Sequence, residues 1–121
     1  MSASKTSTAA SRRSQVQPED GARLEQMRRA PTHPGEIFDE ECRKPSGISQ
    51  AEAARRMRMS ANRLNEIVAG KRAVTAETAV LMGALTGTDP RMWLHLQADH
   101  DLWQALQETD TKSVQPIARA R

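Results

Sequence analysis

Aromatic side chains are nearly missing from this chain, which has no tyrosine, one phenylalanine and two tryptophans in 121 residues. Its core must be assembled from the alanine, leucine, isoleucine and methionine spread along it. That set suits helices, and an all-α fold is expected. At this length there is room for one small core.

Cysteine is equally scarce. Cys42 stands alone, which excludes an internal disulfide and a paired-thiolate zinc site and fits a reducing cytosol. No apolar run reaches about 18 residues and there is no signal-peptide core, so no membrane span is expected and the chain should be cytoplasmic. Catalytic signatures are missing too. His33, His95 and His100 fit no metal spacing, and there is no HExxH, no P-loop and no nucleophile with an obvious base. Neither an enzyme nor a bound metal or cofactor is expected.

What the chain does have is segregated charge. The formal net charge is +3, but residues 31 to 111 hold nine basic against twelve acidic side chains, and the excess of positive charge sits at the two ends. Inside that slightly acidic middle, Glu36, Asp39, Glu40 and Glu41 crowd one segment, whereas Arg55, Arg56, Arg58, Arg63, Lys71 and Arg72 crowd another, against Glu66. Attraction to a polyanion depends on the local field, so the second segment can serve as a phosphate-facing edge. A merely solvated basic face has the same composition.

Residues 1–30 are rich in Ser, Thr, Ala, Gln and Arg without usable periodicity, a composition that cannot offset its ordering entropy. A disordered basic tail is expected there, a helical domain over 31–108, and a second basic tail over 109–121. In the domain, Pro34 opens a first helix over 34–44 with Ile37, Phe38 and Cys42 on one side, ended by Pro45 and Gly47. Ser49 and Glu52 form a capping-box pair for a second helix, with Ala51, Ala54 and Met57 inward. Ser60 caps a third over 61–69, with Leu64, Ile67 and Val68 at helical spacing and Gly70 as its exit. Thr75 caps a fourth over 76–86, closed by Gly87, and Asp89 with Pro90 starts a fifth over the following residues.

Two short helices joined by about three residues, with basic charge around the second, outline a helix-turn-helix. Ala54 is where the two helices must approach, and Met59 buries the turn. On a wheel of roughly 100° per residue, inward Leu64, Ile67 and Val68 leave Asn62 and Glu66 pointing out, flanked by Arg63 and Asn65. Asparagine can pair with adenine, arginine with guanine or phosphate, and glutamate can accept from cytosine. Ser60 and Ala61 are small enough for close approach, Gln50 can reach a phosphate from the start of the second helix, and Lys71 and Arg72 flank the groove. Solvent exposure of Gln50 and an intrahelical Arg63–Glu66 pair are the plain alternatives.

“HPGEIFDEE”, “GISQAEAARRMRMSANRLNEIVAGKRAVTAETA” and “GTDPRMWLHLQADHDLWQA”, together covering about residues 33 to 107, resemble the HigA-type antitoxins within the Xre/Cro-like (lambda-repressor-like) helix-turn-helix proteins. The resemblance implies a five-helix, homodimeric bacterial antitoxin that binds operator DNA, represses its own operon, and neutralises a HigB/RelE-like mRNA endonuclease toxin. It would be cytoplasmic, and nucleoid-associated when on its operator. One departure is Arg58, where the family usually has a turn glycine. A left-handed arginine there costs on the order of 1 kcal/mol relative to glycine.

Trp93, Leu96, Leu102, Trp103 and Leu106 load the last helix with apolar surface, and a dimer interface is expected from part of it, the plain alternative being that both tryptophans close the monomer core. A two-fold dimer would set two reading helices about 34 Å apart over an inverted-repeat operator. The alternative functions are a stand-alone helix-turn-helix repressor without a toxin partner, and an interaction module that has lost DNA binding and uses its acidic first helix to hold a basic partner.

Overall fold

A computed structural model of the chain describes residues 28–118. The tail expected over 1–30 lies almost wholly outside the described residues, and of the tail expected over 109–121, residues 109–118 form an exposed segment without helix. Among the described residues there are five helical rods and no strand, and no helix is long and apolar enough to cross a membrane.

The first rod, α1, runs over 34–46 in three parts. Pro34–Ile37 is α-helical, Phe38–Arg43 is a π segment, and Lys44–Ser46 returns to α. His33 caps it, its Nδ1 accepting from the Gly35 N–H at 2.9 Å. Pro45 was expected to end this helix with Gly47. Instead it lies inside the last turn, directly after the stretch whose Lys44 N–H reaches back to the Asp39 carbonyl. A proline removes one backbone donor, and a wide turn just before it is one of the few places a helix absorbs that loss. The wide turn also lets the consecutive Phe38 and Asp39 both face inward, at 0% and 5% exposure.

Helix α2 is Gln50–Arg56, α3 Ala61–Val68, α4 Ala76–Thr86 and α5 Pro90–Glu108. Each starts where a short polar side chain satisfies an orphan backbone N–H: Ser49 for Glu52, Ser60 for Arg63, Thr75 for Thr78 and Asp89 for Arg91. The capping box is realised on the Ser49 side, while the Glu52 carboxylate takes Arg55 and Arg56. The exit of α2 is a full Schellman motif, with Met59 N–H donating to the Ala54 carbonyl and Arg58 N–H to that of Arg55. Arg58 occupies its left-handed position at φ 60, the only non-glycine among the described residues with positive φ. Gly70 plays that role after α3, at φ 79.

The core is Phe38, Ala53, Ala54, Met57, Met59, Leu64, Ile67, Val74, Ala79, Met82 and Trp93. Ala54 and Met59 are buried as expected, but Ala51 is exposed and Ala53 takes the inward place. Ile37, Cys42 and Val68 are partly buried against this cluster. Trp93 stacks edge-on to Phe38 at 6.0 Å between ring centroids and donates its Nε1–H to Thr88 at 2.7 Å. Gln97, buried on α5, accepts from the Val74 N–H at 2.7 Å and so ties the loop after α3 to the last helix. The start of α1 meets the end of α3, where a Cβ on Gly35 would lie 1.9 Å from the Ile67 carbonyl oxygen.

Candidate nucleic-acid interface

Helix α2, the turn over 57–60 and α3 form the helix-turn-helix expected from the sequence. Capping by Ser60 fixes where α3 begins, and burial of Leu64 and Ile67 fixes which way it faces. Ser60, Ala61, Asn62 and Asn65 are exposed together on the outer side. These amide and hydroxyl groups, set among small side chains at the start of a helix, can reach base edges and backbone phosphates.

Gln50 does not simply face solvent. It is half-buried and donates a long 3.4 Å hydrogen bond to the Asp39 carboxylate. Asp39 in turn is gripped by Arg43, which also donates to the Ile48 carbonyl at 2.8 Å. That arginine contact holds the Asp39 carboxyl below the usual carboxylate range against the opposing effect of burial. The π segment of α1 therefore orients the first side chain of α2. Sequence reading grouped Asp39 with the surface acids Glu40 and Glu41, and its i, i+4 spacing to Arg43 was the one local sign of another role.

The two charged positions of α3 are not free. Arg63, expected to flank the outward face, is half-buried and donates to the Thr78 hydroxyl at 2.9 Å, with the Glu77 carboxylate 3.7 Å away. Glu66 is also half-buried and pairs with Arg72 at 2.8 Å instead of with Arg63. Nearby, Glu52 takes both Arg55 and Arg56, at 2.5 and 2.8 Å, and these contacts bring its pKa down to about 2. The basic segment is thus less bare than its composition suggests. Glu52 lies outside the run counted from Arg55, yet is one helical turn from it.

The chain matches the helix-turn-helix family HTH_3 over residues 40–93. Virulence-associated protein I of Dichelobacter nodosus is 41% identical over 85 residues, covering 70% of this chain and 77% of that protein. A HigA-family addiction module antidote protein from Coxiella burnetii superposes with a TM-score of 0.65 at 34% identity, covering 73% of this chain and 99% of that one. The chain is a HigA-type member of the Xre/Cro-like helix-turn-helix family. A further HigA-type neighbour is the Pseudomonas aeruginosa antitoxin HigA, solved with its higBA promoter, with a TM-score of 0.61 at 35% identity over 64% of this chain and 84% of that one.

On this HigA-type scaffold the apolar residues of α5 divide. Trp93 was expected at a dimer interface, but it is 0% exposed and enclosed by the chain's own core, so it has no surface to offer a second copy. Leu96, Trp103 and Leu106 are partly buried, and Leu102 is exposed at 45%.

Proposed function

We propose that this protein is the antitoxin of a type II toxin–antitoxin pair, binding inverted-repeat operator DNA as a homodimer, repressing its own operon and neutralising a HigB/RelE-like mRNA endonuclease. The observation that carries the DNA-binding part is the exposed edge of Ser60, Ala61, Asn62 and Asn65 on α3, set beside a half-buried Gln50 that Asp39 orients. In this reading Asn62 and Asn65 read bases, and Gln50, Lys71 and the Ser60–Ala61 backbone position phosphates. Arg63 and Glu66 shape the reading helix through Thr78 and Arg72, and the exposed half of α5 centred on Leu102 joins the two copies. The HigA-type neighbours support the toxin pairing.

Two measurements test it separately. Footprinting on the DNA upstream of the gene should reveal a protected inverted repeat, and no protection at low salt would remove the operator role. Co-expression with an adjacent small RelE-like reading frame should restore growth. Protection without rescue would leave a stand-alone repressor.

A further inference from the structure

Arg58 stands in an unfavourable place for its type. It holds the left-handed position of the α2 exit at φ 60, where glycine carries no steric penalty. The backbone hydrogen bonds of the α2 exit hold that turn without help from the side chain. That side chain is exposed and makes no ion pair or hydrogen bond with any described residue. Its basic neighbours differ, since Arg55 and Arg56 are held by Glu52, Arg63 by Thr78 and Arg72 by Glu66. Of the basic side chains from Arg55 to Arg72, only Arg58 and Lys71 lack a partner among the described residues, and they stand just before and just after α3.

An exposed guanidinium that no described residue engages is available to an external partner. A planar guanidinium with a full set of free donors suits a phosphate, which it can take in a forked pair of hydrogen bonds. Arg58 lies two residues before Ser60, at the end of α3 whose exposed residues face outward. The same eight-residue helix is about 12 Å long, comparable to the roughly 12 Å width of a major groove, so cations at its two ends can address separate phosphates.

We infer that Arg58 is a phosphate-binding residue for duplex DNA, gripping the backbone beside the Ser60–Asn62 end of α3. This rests on the DNA-binding reading above and adds a contact to it. The contact is blind to sequence, so it strengthens binding to any duplex equally.

The test measures affinity of the full chain for two duplexes, one from upstream of its gene and one of random sequence, across about 50 to 200 mM salt. Arg58→Gly and Arg58→Asn, which both tolerate the left-handed turn, should bind each duplex about fivefold to tenfold more weakly near 100 mM salt, with a salt slope shallower by about 0.9. Arg58→Lys should keep most of that slope. Arg91→Gln, which removes one exposed positive charge at the start of α5, should keep it all. Wild-type binding with an unchanged slope in Arg58→Gly overturns the assignment to Arg58 alone, as does an equal loss in Arg91→Gln, which would reduce the effect to net charge. No duplex binding by the wild type at low salt overturns the DNA-binding reading itself, and this contact with it.

Discussion

Arg63 donates to the buried hydroxyl of Thr78 at 2.9 Å, so a residue of α3 is anchored on the first turn of α4. Removing either partner should therefore be felt in folding. Thr78→Val, close in shape but without the acceptor, is expected to destabilise the protein by about 1 to 2 kcal/mol in urea unfolding. A double-mutant cycle with Arg63→Ala should show coupling of about 0.5 kcal/mol or more. Asn62→Ala is the contrast, since Asn62 is exposed. It should leave the unfolding midpoint in place while weakening operator binding by about 1 to 3 kcal/mol. Additive Arg63 and Thr78 effects would deny the anchor.

Gly35 approaches α3 without room for a side chain, because a Cβ would meet the Ile67 carbonyl oxygen at 1.9 Å. That oxygen is backbone and cannot swing aside. Gly35→Ala is expected to cost about 1 to 3 kcal/mol and to lower the melting temperature, even though alanine is the better helix former. A rise in melting temperature would mean the helices separate freely there.

His33 supplies a pH dependence. Burial and the adjacent His100 ring, 5.0 Å away, hold its pKa below the ordinary 6.5, opposed by Asp101 on α5 and Glu36 on α1. Its Nδ1 must also stay unprotonated to accept from Gly35. The unfolded chain thus binds a proton more readily, so this contribution to stability is complete above about pH 6.5 and is lost as pH falls through the lower folded value. Melting temperatures taken from about pH 7.5 to about pH 5 should decline in the wild type. His33→Asn keeps a capping acceptor and should flatten that decline. An equal decline in both would place the titrating group elsewhere.

Glu52 restrains the charge of α2 by pairing with Arg55 and Arg56. Glu52→Gln should free both guanidiniums, tightening binding to random-sequence duplex several-fold at low salt and steepening the salt dependence by about 1 to 2. All three side chains are on the surface, so melting should barely move. Weaker or unchanged DNA binding would show that these arginines face away from the phosphates.

The helix starts were legible because capping is local. Ser49, Ser60, Thr75 and Asp89 needed only their own first turns to announce a start, whereas the left-handed Arg58 was suggested by the resemblance to a family that usually has a glycine there. The inward face of α3 could likewise be read from Leu64 and Ile67. The π segment had no such signature, since a bond to the fifth residue back leaves the composition unchanged, and with it went the burial of Asp39 and its hold on Gln50. Arg63 was misplaced because its partner, Thr78, lies on another helix, and a wheel drawn for α3 alone cannot see it. Trp93 went to the interface for a similar reason. Bulk on a helix shows that a surface must be covered, not whether the cover comes from Phe38 in the same chain or from a second copy.

The enclosure of Trp93 has a practical consequence. The chain has no tyrosine and one other tryptophan, Trp103, so Trp103→Phe leaves a single emitter at the centre of the core. Its emission maximum should lie toward the blue in the folded protein and move red when water reaches the Phe38 contact. Fluorescence from that one indole would then follow unfolding at the junction of α1 and α5 without an added label.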